Sequence, residues 1–157
     1  MSPGDFWMLS PSFFWGALLA GRAAAPVWLR WVAEIRLARV SVMVALCGIA
    51  ILLQASSPMA IATGAGLAGF GLAPVHPITI AVLAKEFGAA SSRISGLLFA
   101  LAGLGGAIVP WLVGLVSTHF ANLKVGLLVP LFSGGILLIL YFQKVERRSR
   151  SEVAARI

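Results

Sequence analysis

Three long stretches of this chain carry no charged residue. They cover residues 40–84, 94–123 and 125–143. A helix rises about 1.5 Å per residue, so about 20 apolar residues cross the hydrocarbon core of a bilayer. The first stretch is long enough for two crossings. Gln54-Ala55-Ser56-Ser57-Pro58 sets a turn between them, where proline and serines break the run and water can satisfy the backbone. A further apolar segment, interrupted by Arg22, comes before the first stretch. The pattern predicts an all-α polytopic membrane protein of about five helices. The expected spans are residues 6–29, 40–56, 59–83, 94–120 and 125–142, forming one membrane domain over 1–143 with a basic tail over 144–157.

Composition excludes a water-soluble globule. Apolar residues make up 60% of the chain and charged residues 11%, with a mean hydropathy of +0.99. A soluble domain carries roughly 25% charged residues, because its surface must face water. The net charge of +7 would suit a nucleic-acid partner, but its placement points elsewhere. Arg30, Arg36 and Arg39 follow the first expected span, Lys85 and Arg93 separate the third from the fourth, and Lys144, Arg147, Arg148, Arg150 and Arg156 follow the fifth. With alternating spans all of these fall on one side, and Lys124 alone on the other. Basic loops are retained in the cytoplasm. The expectation is a multi-pass protein of the cell (inner) membrane, N-terminus outside and C-terminus cytoplasmic, with lipid and not nucleic acid as its surroundings. The tail then reads as an orientation signal with some attraction for anionic lipid. No Lys or Arg precedes Arg22, so the basic region of a signal peptide is not found. Cys47, the single cysteine, reads as a small core residue.

Small residues gather in two spans. The third holds Gly64, Gly66, Gly69 and Gly71 before Pro74 and Pro77; the fourth holds Gly96, Gly103, Gly105 and Gly106, then Pro110 and Gly114. Small residues let helices approach closely in lipid, and prolines free carbonyls and kink helices beside a cavity or a neighbour. Gly21, Pro74, Pro77, Gly103, Gly105, Gly106 and Pro110 are therefore the candidates for close packing and gating.

Taken as a string, Phe14-Trp15-Gly16 with Gly21-Arg22, then Ala73-Pro74-Val75-His76-Pro77, then Ser95-Gly96 through Gly105-Gly106-Ala107-Ile108-Val109-Pro110 and Gly114 resemble the eighth, tenth and eleventh helices of major facilitator transporters. The likeness is greatest to the fucose-permease-like branch of sugar–proton symporters. It covers nearly the whole chain up to Phe142 and implies that the spans are helices eight to twelve, a partial C-terminal half. Such transporters carry inverted three-helix repeats. Aligning Pro26 on Pro110 sets Gly21 on Gly105, Ala23 on Ala107 and Trp15 on Phe99. Helices one to seven of the family lie outside this chain, which begins at Met1. The resemblance thus implies a truncated or split symporter, inactive alone, whose partner is a separate N-terminal half and whose solute is a sugar or another small polar molecule. After its eighth helix the family keeps a Gly-x-x-x-Asp-Arg-type pattern. Here Pro26-Val27-Trp28-Leu29-Arg30 offers the arginine without the aspartate, and only Glu34 supplies an acid.

Four residues are candidates for binding that solute: Trp15, Arg22, His76 and Trp111. Arg22 is the only charge within an expected span, and burying it in lipid costs at least ~2.5 kcal/mol, so it should face protein or a wet cavity. It lies eight residues before Arg30, and His76 nine before Lys85, which puts both roughly 12–13 Å from the basic boundary. They are either paired donors on the solute path or donors to carbonyls freed at the Gly/Pro breaks. Trp15 either stacks on a sugar face or packs on other aromatics, and Trp111 either does likewise or anchors at the interface. Trp28 and Trp31 flank Arg30 as belt residues. No expected span carries Asp or Glu, whereas a proton relay usually keeps a buried carboxylate. The family would supply that group from its N-terminal half. No phosphate loop, metal-ligand spacing or nucleophile–base pair is found, so neither an enzyme nor a cofactor is expected. The alternative reading is a small membrane scaffold or regulatory subunit that binds other membrane proteins through its Gly-rich helix faces.

Overall fold

In the computed structural model, residues 3–88 and 91–154 are described, and no strand occurs among them. The helices are α1 (Pro3–Trp28), α2 (Glu34–Gln54), α3 (Pro58–Leu72), α4 (Val75–Phe87), α5 (Ser91–His119), the single turn α6 (Leu123–Gly126) and α7 (Leu128–Ala154). Four segments among the described residues are long and apolar enough to cross a membrane: Glu34–Gln54, Pro58–Lys85, Ile94–His119 and Leu123–Gln143. They correspond to the second to fifth expected spans. The first expected span is also a helix, α1, of 26 residues; Arg22 and its small residues dilute its apolar character. The chain is an all-α membrane protein.

Local chemistry sets the helix ends. Ser57 accepts the Ala60 N–H at 3.3 Å, and Pro58 occupies the first turn of α3, a serine cap followed by a proline whose missing N–H has no helical partner anyway. Asn122 caps α6 by accepting the Lys124 N–H at 2.9 Å. Gly88 stops α4 with φ of +49°, a conformation that a side chain disfavours. Two boundaries differ from expectation by six residues or more. Helix α2 starts at Glu34 and not at residue 40, and α7 runs on to Ala154. Charged residues at the water boundary stay helical, so loss of apolar character marks the edge of the lipid and not the end of the helix. Within the tail, Arg156 lies outside the described residues. So do the side chains of Lys144, Arg147, Arg148 and Arg150, and that of Arg93.

The tightest packing joins α2 to α3. On α2 the buried residues Ala38, Ser41, Val42, Ala45, Gly48 and Ile49 form one stripe, spaced as a helix face requires. On α3 Gly64, Ala65, Ala68, Gly69 and Gly71 are buried. The two stripes mesh antiparallel. A Cβ added at Gly48 would collide with the Ala68 backbone nitrogen and stand 2.7 Å from the Gly64 carbonyl oxygen, and one at Gly71 would stand 2.6 Å from the Ser41 carbonyl. On the other side of α3, α1 runs parallel to it. The Phe14 carbonyl presses on Gly69, and Gly21 sits on Ala73, where a Cβ would come within 2.6 Å of the Ala73 Cβ. Helix α7 lies antiparallel against α2, with Gly134 on Leu46. Near the basic end Leu37, Ala38 and Ile78 form an apolar core, packed by Trp28, Leu29, Val32, Val82 and Tyr141. Trp28 belongs to this core and meets the Phe70 ring edge-on at 5.4 Å, whereas Trp31 is 85% exposed.

On α5 close packing is confined to the C-terminal part, where Gly126 of α6 meets the Val113 carbonyl. None of the residues in the apolar span of α5 is buried, against 39% in α2. A Cβ at Gly96, Gly103, Gly105, Gly106 or Gly114 would meet open space within 4 Å, so these glycines make no close contact within the chain. Pro110 is likewise exposed. Cys47 is exposed too. It lies next to the buried stripe of α2, rotated out of the α3 contact, so it is not a core residue.

Candidate functional site

The third membrane span has a break in its hydrogen bonding at Pro74, although Ala73 and Pro74 keep right-handed helical angles, and polar side chains gather beside it. Pro74 lacks the N–H that would continue α3, so Ala73 closes that helix by donating its N–H to the Gly69 and Phe70 carbonyls at 3.1 and 3.4 Å. Helix α4 then restarts, with the Ile78 N–H donating to the Pro74 carbonyl at 3.1 Å. Pro74 is among the most deeply buried side chains, whereas Pro77 is exposed. Pro77 falls in the first turn of α4, where a missing N–H costs no helical bond.

His76 stands on that same first turn and opens into a narrow cleft of about 20 Å³ between α4 and α5. The cleft is lined by His76, Thr79, Ile80 and Leu83 from α4 and by Ser95, Leu98 and Phe99 from α5. The imidazole meets the Phe99 ring edge-on, with centroids 5.7 Å apart. Thr79 donates its hydroxyl to the Val75 carbonyl at 2.8 Å, and its oxygen lies 3.3 Å from the Tyr141 hydroxyl on α7. The single Thr79 proton is committed to Val75, so Tyr141 is the donor of that second bond. The result is an apolar cleft with the His76 imidazole and the Thr79 and Ser95 hydroxyls in its lining, with room for about one water molecule.

The other candidates do not converge on this cleft. Gly21 contacts Ala73, which puts neighbouring Arg22 level with the break and within about one turn of His76 in depth, as the residue count implied. Arg22 is nonetheless exposed, and neither it nor Trp15 lines the cleft. Among the described residues Arg22 makes no hydrogen bond to a freed carbonyl. Trp15 is 64% exposed and packs edge-on against Phe14 at 5.6 Å. Trp111 is 63% exposed and shares a shallow surface depression with Gly114, Leu115, Thr118 and His119, all from α5. It is twelve residues, or about 18 Å, along α5 from Phe99.

Thr79, Ser95, Phe99 and Tyr141 were not singled out as site residues from the sequence. Thr79 could have been found, being three residues after His76 and hence on the same helix face. Tyr141 could not, because nothing in the sequence brings α7 to α4. At the basic end Glu34 pairs with Lys85 across α2 and α4. The acid that stands in for the missing aspartate is thus engaged by a lysine and not by Arg30.

Compared with known protein families, with characterised proteins and with solved structures, the chain matches none.

Proposed function

We propose that the chain is a component of a secondary transporter of the major facilitator type, carrying a sugar or another small polar solute with a proton. The observation that supports this reading best is the span α3–α4, which lacks backbone donors at Pro74 and Pro77 and carries His76 between them. Transporters place solute and ion sites near the middle of the bilayer, and prolines in spanning helices free carbonyls that neighbouring protein or a wet cavity must satisfy. Arg22 and Trp15 on α1 belong to the same path in this proposal, and Trp111 to its far end. Their exposed side chains are then covered by the helices of a partner half. In the same reading the basic end of the bundle lies in the cytoplasm.

The test is uptake. The purified chain in liposomes should take up no sugar above empty vesicles, with or without a proton gradient, because the cleft has walls from α4 and α5 alone. Co-expression with a seven-helix N-terminal fragment of a resembling transporter should restore uptake and raise the abundance of the chain. Gradient-driven uptake by the chain alone would refute the need for a partner, and failure of every fragment would count against the transporter reading.

The second reading, a scaffold or regulatory subunit, is favoured by the unburied face of α5 with Gly103, Gly105 and Gly106. It predicts co-purifying membrane proteins lost on Gly105→Leu, with no uptake in any combination.

Orientation is checked separately, in a Cys47→Ser background. Cysteines at Ser56 and His119 should react with an impermeant thiol reagent added to intact cells, and one at Ala33 should not. Labelling at Ala33 alone would reverse the assignment.

A further inference from the structure

Arg39 is the one side chain in the described structure with a buried polar atom that lacks a partner. It stands on the second turn of α2, immediately before the uncharged run that starts at Val40. Its guanidinium carbon lies 4.9 Å from the centroid of the Phe142 ring on α7, a cation–π contact. The contact encloses Nε, which makes no hydrogen bond among the described residues. Glu34, five residues earlier on the same helix, is engaged by Lys85. A partly desolvated cation with one donor shut off must be compensated through its remaining donors. A planar guanidinium does this best against an anion that takes two parallel bonds, such as a phosphate.

The surroundings select the kind of phosphate. Met43, one turn along α2 from Arg39, and Ile139, one turn back along α7 from Phe142, are both exposed, as is Val40. The cation therefore sits beside exposed apolar residues of α2 and α7, near the charged end of the spanning segments Glu34–Gln54 and Leu123–Gln143. A free phosphate would use the cation and leave those residues bare. A phospholipid with a net negative headgroup uses both.

We propose that Arg39 and Phe142 form a binding site for one acidic phospholipid, the terminal guanidinium nitrogens on its phosphate and an acyl chain along Met43 and Ile139. The site depends on the membrane character of the chain and not on the transporter reading, so either can fail without the other.

Delipidated full-length protein in mild detergent would be titrated with dioleoylphosphatidylglycerol, dioleoylphosphatidylcholine or inorganic phosphate, and bound lipid counted by native mass spectrometry. The phosphatidylglycerol adduct should be favoured over phosphatidylcholine by about tenfold, the size of one charge-assisted bond. Arg39→Gln should abolish that preference. Arg39→Lys, which keeps the charge and guards against a folding defect, should lose most of it. Phe142→Leu should weaken it, and Arg30→Gln should leave it intact. An undiminished preference in Arg39→Gln would overturn the site and assign binding to the tail. Displacement of the lipid by millimolar phosphate would overturn the lipid assignment. A gain on Glu146→Gln, in the next turn of α7, would show that an internal carboxylate already claims Arg39, and would overturn it as well.

Discussion

Gly48→Val is expected to unfold most of the protein in mild detergent. A Cβ there meets backbone on α3, at the Ala68 nitrogen and the Gly64 carbonyl. Backbone cannot rotate aside as a side-chain tip can. The helices must separate, and the loss spreads to the facing residues Ala45, Ala68 and Gly71. Overpacking costs 1–3 kcal/mol where neighbours yield. Here they do not, so a loss of about 3 kcal/mol or more is expected, over a hundredfold in the folding equilibrium. Reversible unfolding in mixed micelles would measure it, with Gly66→Val and Gly105→Val as comparators. Both of those positions face open space within 4 Å, so they should shift stability by no more than about 1 kcal/mol, the range of helix propensity. If Gly48→Val is no worse than Gly66→Val, the close crossing of α2 and α3 is wrong.

Arg22→Leu should separate function from folding. Arg22 is exposed on α1, one position round the helix from the Gly21–Ala73 contact. Among the described residues it has no hydrogen-bond or salt-bridge partner. Removing it from an apolar helix should favour insertion by about 3 kcal/mol on translocon scales. Abundance in the membrane should therefore hold or rise. In the assembled transporter proposed above, uptake should fall at least about tenfold, the equivalent of one lost charged hydrogen bond. Arg22→Lys should recover part of it at most, since lysine lacks the planar fork. A fall in abundance parallel to the fall in uptake would mean that Arg22 supports the structure, and unchanged uptake would remove it from the solute path.

The lipid-spanning character was readable from sequence because charge is excluded from hydrocarbon whatever the helices pack against. The lost hydrogen bond at Pro74 was readable for a similar reason, since a missing N–H is a local fact. Packing was only half readable. Glycine at 64, 69 and 71 means close approach, and the same residue at 66, 103, 105 and 106 does not; what differs is the neighbour, which no single helix specifies. Cys47 failed in the same way: an apolar span has no polar face to show which side looks outward. The cleft was found through His76 alone, because a titratable residue in an apolar span stands out. Its partners Ser95, Phe99 and Tyr141 come from helices whose arrangement depends on contacts between distant parts of the chain. The inverted-repeat alignment of Gly21 with Gly105 does not extend to packing, since the first is pressed on Ala73 and the second faces open space.

The unequal burial of α2 and α5 bears on how the protein is made. Helices α2 and α3 are neighbours in the chain, joined by the short turn at Ala55–Ser57, and their stripes can mesh as soon as both have left the ribosome. Helix α5 leaves later and finds almost nothing to bury itself against. During synthesis it is therefore expected to be the segment most open to insertion chaperones and quality-control proteases. Substitutions along α5 should therefore change how much protein a cell accumulates while leaving the stability of purified protein nearly untouched. Those on the α2–α3 seam should change both.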